Sequence, residues 1–291
     1  MSKNPIRNWF ILLILSIIWG SSFILMKKGL LGFTYLEVAC FRLIIAFLIL
    51  SPFLISSLKK LKISYIKPIL VVSIIGTVIP AILFALGQTY LKSSTTGMLN
   101  ALTPIFTLII GVLYFQKKYN KENIIGILIG LIGSYILLLP QSASFLQIQY
   151  SLIIILATIC YALSINTIKD KLKDLASLDI AVLSAFISCI IPIILIANNG
   201  IASTVSKVYH NFDSFWYLII LGTFCTSIAI ILFNYLIKNS SALFGSSTTY
   251  LIPIFAIIWG VLDNEIIANH EMIGIAIILF GVFFMNYKQL G

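Results

Sequence analysis

The sequence predicts an all-α integral membrane protein of ten transmembrane helices, built as two five-helix repeats with the second inverted relative to the first. Three observations predict it. Of 291 residues, 60% are hydrophobic and 10% charged, whereas a soluble domain carries about a quarter charged residues. So much apolar surface requires lipid around it. A spanning helix takes about 20 apolar residues, and ten such stretches lie along the chain, at 8–26, 37–57, 68–91, 95–115, 123–139, 149–168, 178–197, 215–237, 242–262 and 272–287. Finally, the polar landmarks of the first five stretches recur in the second five after 142 to 149 residues.

The first stretch follows Lys3 and Arg7 in the manner of a signal sequence. It is too long for a usual signal core and no small-x-small pattern closes it, so it is expected to remain as a helix. The second opens on Thr34 and Glu37, the spacing of a capping box. It also holds Arg42, the one charge well inside a span. Such an arginine snorkels to the interface, pairs with helix-end carbonyls or binds a carboxylate. The third has Gly76-Thr77, Gln88 and Lys92. In the fourth, Thr96, Asn100, Thr103, Thr107 and Gly111 follow at steps of four, three, four and four, which sets a polar, small-residue stripe down one helix face. Pro104 stands in the middle. The fifth spaces Gly126 and Gly133 by seven.

The second half repeats these features. Trp19, Ser22 and Lys27 return as Tyr161, Ser164 and Lys169, each 142 residues later. Gly76, Thr77, Gln88 and Lys92 return as Gly222, Thr223, Asn234 and Lys238, each 146 later. Thr103-Pro104-Ile105-Phe106 returns as Ile252-Pro253-Ile254-Phe255, 149 later, within the series Gly245, Thr249, Ile252, Ala256 and Gly260. Gly274 and Gly281 copy the spacing of the fifth stretch. The longest connection, 198–214, is expected to be a loop. The units are 8–139 and 149–287. Five is odd, so the second unit enters the membrane upside down, and the substrate site of such a repeat lies at the interface near mid-membrane.

Basic residues set the orientation. With both termini cytoplasmic, fourteen lysines and arginines fall on the inner side, while only Lys27, Lys28, Lys92 and Lys207 fall outside, as the positive-inside rule requires. The net charge of +10 is therefore a topology signal, not a nucleic-acid-binding face. Cys40, Cys160, Cys189 and Cys225 lie in apolar runs without metal-ligand spacing and read as small core residues. No metal or cofactor motif is present. His210 and His270 fall in connecting segments without a ligand-spaced partner, and no cluster of acids marks an enzyme. Nor is there a ring-forming filter motif of the kind a channel needs.

The paired motifs carry a family resemblance. Two five-helix units, the first with Trp19-Gly20-Ser21-Ser22 and Lys27, together with Arg42, Pro104, Pro253, Glu265 and the paired glycines, resemble the ten-helix EamA-type exporters of the drug/metabolite transporter superfamily. The first half departs from that pattern in carrying Gln116 where an acid matching Glu265 is usual. The resemblance implies a bundle whose central cavity is lined by helices 1, 3, 4, 6, 8 and 9, and export of amino acids or other small metabolites.

The candidate substrate-binding residues are Asn100, Gln88, Asn234, Trp19, Tyr161, Thr103 and Tyr250, with Pro104 and Pro253 as hinges. A carboxamide in hydrocarbon costs kilocalories unless partnered, so Asn100, Gln88 and Asn234 face a cavity or another helix. Trp19 and Tyr161 sit too deep for the interfacial aromatic belt. Thr103 lies on the polar stripe, where close helix packing competes with binding. The expected partners are a small neutral or zwitterionic substrate and the bilayer at the cell membrane.

Overall fold

A computed structural model describes residues 5–137, 145–198 and 200–286. All regular structure among them is helical. Eight helices of 21 to 28 residues are long and apolar enough to cross a membrane. They are α1 (Ile6–Gly29), α2 (Tyr35–Leu58), α3 (Ile63–Gln88), α4 (Ser93–Leu113), α6 (Leu146–Lys171), α7 (Ser177–Asn198), α8 (Phe212–Asn239) and α9 (Ala242–Leu262). Two more, α5 (Lys121–Leu137) and α10 (Asn269–Asn286), have 17 and 18 residues. The order and positions follow the ten apolar stretches, with ends moved by up to five residues.

Local chemistry explains the ends and breaks. Thr34 and Glu37 form the expected capping box of α2: the Glu37 N–H donates to Thr34 Oγ1, and the Thr34 N–H donates to Glu37 Oε2 at 2.7 Å. In α4 the helix breaks at Ala101 and Leu102, just ahead of Pro104, and α9 breaks at Ser247, ahead of Pro253. A proline lacks the N–H that the carbonyl four residues earlier would accept. Those carbonyls belong to Asn100 and Thr249. In α3 and α8 the turns widen over Val71–Val78 and Thr223–Ile228, where Thr77 and Thr226 hydroxyls donate back to Val72 and Leu221 carbonyls at 3.0 Å. Widened turns of this kind cluster at functional sites.

The connection 198–214 differs from the expected loop. Gly200, at φ 89°, turns the chain into a short helix, Ile201–His210. Ile201, Val205 and Tyr209, spaced by four, are 65%, 62% and 80% exposed. An exposed apolar stripe on a short surface helix matches the interfacial layer of a bilayer.

The pair α5 and α10 packs backbone to backbone. A Cβ added at Gly133 would lie 2.7 Å from the Gly274 carbonyl oxygen, and one at Gly281 would lie 2.6 Å from the Gly126 carbonyl oxygen. The four glycines spaced by seven are thus the contact itself, the close approach that small residues permit in membranes. On the other flank, Ser16 of α1 donates to the Thr248 carbonyl at 3.1 Å, and Gly20 abuts Phe255 of α9. The central cluster joins Phe23, Phe84, Met98, Leu99, Ile154, Tyr250 and Ile252, so α1, α3, α4, α6 and α9 converge on one core.

Candidate functional site

A cavity of roughly 100 Å³ lies within this convergence, bounded by residues of α1, α2, α3, α4, α6, α7, α8 and α9. No described residue of α5 or α10 reaches it. Helices 1, 3, 4, 6, 8 and 9 were expected; α2 contributes Arg42 and Leu43, and α7 contributes Ser184. The wall repeats as the sequence does. Trp19 and Tyr161, Ser22 and Ser164, Phe23 and Ile165, Met26 and Ile168, and Arg42 and Ser184 are lining pairs 142 residues apart. Phe84 and Ile230 are 146 apart, and Asn100 and Thr249 are 149 apart.

Of the sequence candidates, Trp19, Tyr161, Asn100, Thr103 and Asn234 line the cavity. Trp19 donates its indole N–H to the Cys225 carbonyl at 3.0 Å and meets Phe233 edge to face, with ring centroids 4.7 Å apart. Tyr161 stacks on Phe84 at 5.6 Å. Thr103 donates to the Asn100 backbone carbonyl at 2.8 Å, taking up the acceptor that Pro104 leaves free. Asn234 donates to the Ser177 carbonyl at 3.4 Å, a long bond. Among the described residues, Asn100 Nδ2, Tyr161 Oη and Ser164 Oγ have no hydrogen-bond partner in the protein.

Two candidates lie elsewhere. Gln88 donates to the Phe23 carbonyl at 2.8 Å and borders a shallow groove with Lys27, Phe33 and Tyr35, outside the cavity. Tyr250 is 1% exposed in the packed core. Its hydroxyl, which has no hydrogen-bond partner, lies 3.6 Å from where a Cβ on Gly130 would sit. It therefore packs toward α5. The same α9 face that presents Thr249 to the cavity does not present its neighbour, because successive helical residues are about 100° apart.

Two features stand outside the list of sequence candidates, Arg42 having been left open between the interface, helix-end carbonyls and a carboxylate. Arg42 reaches the cavity, half-buried, with its Nε donating to Thr226 Oγ1 at 2.7 Å. Its signal was the 142-residue offset to Ser184. The second feature is a latch at one end of the bundle. Glu265, in the connection after α9, accepts hydrogen bonds from Ser93 N–H and Oγ at 3.1 and 2.7 Å, and from Ser94 N–H and Oγ at 3.1 and 2.6 Å. It thereby caps α4, where a carboxylate also meets the positive end of the helix. Lys27 pairs with it at 2.8 Å and with Asp263 at 2.7 Å, and Lys28 pairs with Asp263. Asn264, at φ 62°, makes the left-handed turn that returns Glu265 to α4. Burial alone would raise the Glu265 carboxyl, but hydrogen bonds from Lys27, Ser94 and Ser93 outweigh it and hold it at about 2.

At the opposite end the corresponding lysines bond carbonyls, and Asp179 is held separately by Ser57 and Lys60. There Lys169 donates to the Lys238 and Ser240 carbonyls, Lys238 donates to the Leu175 carbonyl, and Lys117 is 3.5 Å from Asn166 Oδ1. Gln116 stands at the place equivalent to Glu265, 149 residues before it. Burial holds Lys117 below the usual lysine range despite the nearby Asp170.

The fold defines a multi-pass helical membrane protein with an internal cavity lined by residues of both halves of the chain. The chain belongs to the EamA-like transporter family, whose model matches residues 7–139 and again 149–287. It is 26% identical over 275 residues to the uncharacterized inner membrane transporter YedA of Escherichia coli K12, covering 92% of this chain and 87% of that one. The uncharacterized transporter YoaV of Bacillus subtilis 168 is 22% identical over 281 residues, 94% of each chain. A solved crystal structure superposes over 99% of both chains with a TM-score of 0.69 at 12% identity, a likeness of fold alone. The protein is accordingly a membrane transporter of the drug/metabolite type, as its doubled motifs indicated.

Proposed function

We propose that this protein is a secondary transporter that exports a small metabolite, an amino acid or a similar neutral or zwitterionic compound, across the cell membrane by alternating access. In this reading ten helices span the membrane as two inverted units, 8–139 and 149–287, with both termini cytoplasmic. The observation that carries it is the cavity wall, in which seven pairs of lining residues are related by the offsets of the internal repeat. A site formed equally by two halves can be reached from either side as the halves rock. Trp19, Tyr161, Asn100, Thr103 and Asn234 contact substrate, and Pro104 and Pro253 give the broken α4 and α9 their freedom to bend. Gln88 and Tyr250 support the wall from behind.

The latch at Lys27, Asp263 and Glu265 then closes the outer end, since that end is outside when the termini are cytoplasmic. Among the described residues, every acid lies at a helix end or in a connection. Asp179, the most buried of them, is held by Ser57 at 2.8 Å and Lys60 at 3.0 Å. A carrier that exchanges a proton buries a titrating acid or histidine along its path. Transport therefore runs down the substrate gradient with no obligatory ion. Comparing the metabolites released by cells with and without the protein tests the reading. A set of compounds enriched outside only when it is present supports export, and identical media contradict it.

A further inference from the structure

The cavity described above carries a single formal charge, and the chain does not neutralise it. Arg42 enters from α2 about two turns after the helix start at Tyr35, and no aspartate or glutamate is among the lining residues. Its only hydrogen bond among the described residues is from Nε to Thr226. None of the ion pairs formed by the described residues includes it. The guanidinium Nη groups thus keep donors that nothing in the protein accepts. Arg42 is half-buried, a guanidinium held inside a span without a carboxylate partner is costly, and an intramembrane ionisable residue is by default a functional-site candidate.

The repeat sharpens the point. The position equivalent to Arg42 is Ser184, which also lines the cavity. Of the seven lining pairs related by the repeat, this one alone differs in formal charge. Close by, Asn100 Nδ2, Tyr161 Oη and Ser164 Oγ are further donors without a protein partner. Ser22, Thr77, Thr103, Thr226, Asn234 and Thr249 add hydroxyls and an amide to the wall, and Trp19, Phe23, Phe84 and Phe233 give it an aromatic part.

We propose that Arg42 is the anion anchor of the substrate site, and that the substrate class is small carboxylic acids with an apolar tail. The planar guanidinium takes the carboxylate through its two Nη groups, the geometry that arginine offers and lysine does not. Asn100, Tyr161 or Ser164 donates to the remaining carboxylate lone pairs, and the tail lies against the rings. An α-amino group meets ring faces and neutral acceptors, so it is accommodated without an acid of its own. Cationic amines lacking a carboxylate face an uncompensated arginine and are rejected. The inference rests on the cavity being the site of transport.

The test uses the purified full-length protein in detergent, with binding read by ligand-induced thermal stabilisation. The probes are two matched pairs, L-leucine with L-leucinamide and L-phenylalanine with L-phenylalaninamide. The amides keep the tail and the amine and lose only the negative charge. The wild-type protein is expected to bind at least one acid roughly 10- to 100-fold tighter than its amide, the range of one charge-assisted contact. Arg42→Gln is expected to abolish that preference, and Arg42→Lys to restore part of it. Thr107→Val, off the cavity wall and with its hydroxyl bonded only to its own helix, should retain the preference. If Arg42→Gln does not accumulate, Arg42→Lys against the wild type carries the comparison. Equal binding of acid and amide, no binding of either acid, or an undiminished preference in Arg42→Gln would each overturn the proposal. Preference for the acid without any transport would fault the transport reading and leave the anion site standing.

Discussion

Replacing Glu265 with glutamine is the most informative single change, because so much of one end of the bundle converges on two oxygens. In the native protein Oε1 accepts from Lys27 and from Ser93, and Oε2 accepts from Ser94. An amide retains one acceptor oxygen and sets its NH2 against the other serine's donors. The lysine also loses one of its two carboxylate partners, keeping Asp263 at 2.7 Å. Lys27 is about a third exposed and keeps Asp263, so the loss is that of hydrogen bonds at the buried Glu265, about 1–3 kcal/mol. The carboxyl itself gives the upper end of that range: its fall from 4.5 to about 2 corresponds to roughly 3 kcal/mol. If the latch holds the outer end shut, that energy shifts the balance between closed and open by up to about 100-fold. The assay is labelling of Cys225, which lines the cavity, by an impermeant maleimide applied outside. Cys40, Cys160 and Cys189 are replaced by serine. Glu265→Gln should label far faster than the parent and unfold at a temperature several degrees lower. Unchanged labelling and unchanged unfolding would refute the latch. The sign of the pH effect is also fixed. The carboxyl is depressed on folding, so its contribution is complete above about 4.5 and is lost as pH falls toward 2. Moving from pH 7.5 to pH 5 should leave the difference in unfolding temperature between the parent and Glu265→Gln unaltered.

Three further outcomes are expected. Gly133→Ala forces a methyl to within 2.7 Å of the Gly274 carbonyl and should destabilise by about 1–3 kcal/mol. Gly130→Ala makes only an ordinary 3.6 Å contact with Tyr250 and should cost far less; equal unfolding temperatures would remove the glycine contact from the account. Asn100→Leu should impair export far more than Thr107→Val at matched protein levels. Thr107 donates only to its own helix, at 2.8 Å to the Thr103 carbonyl, whereas Asn100 lines the cavity, and equal export by both variants would remove Asn100 from the site. Single cysteines at Ser206 and Asn264 in a cysteine-free protein should react with an impermeant reagent outside, and cysteines at Lys60 and Lys171 should not. The reverse pattern would invert the topology.

The spans and their order were legible in the sequence because hydropathy reports the solvent directly, and lipid leaves little room for alternatives. The repeat was legible because rare features, a proline in an apolar run or an amide in a span, recur at fixed offsets. The same offsets mark the cavity wall, which is why Trp19, Tyr161 and Asn100 were found. Gln88 and Tyr250 lie off the cavity wall because a polar atom inside a span has two ways to be accommodated, a cavity or a neighbouring helix. Spacing along one helix does not distinguish them: Gln88 reaches the Phe23 carbonyl, a partner 65 residues away. Arg42 was visible as a charge, but its target was not, since that depends on α2 meeting α8 at Thr226. The Glu265 latch was hidden for the same reason. It joins residues 171 and 172 positions apart, and only the turn at Asn264 brings them together. The helix at Ile201–His210 was read as a loop because ten residues fall far short of a span, and its apolar stripe of Ile201, Val205 and Tyr209 is only about two turns long.

The most direct test of the central claim, a substrate cavity alternately open to each side, is counterflow in proteoliposomes. The substrate is the metabolite that expressing cells release, loaded inside unlabelled, with trace label outside and neither a pH difference nor sodium present. The account predicts transient accumulation of label above its equilibrium level, at a rate that saturates with substrate and is lost in Asn100→Leu. Flux that rises linearly with concentration and shows no overshoot would contradict it, and so would flux that appears only when a proton or sodium gradient is imposed.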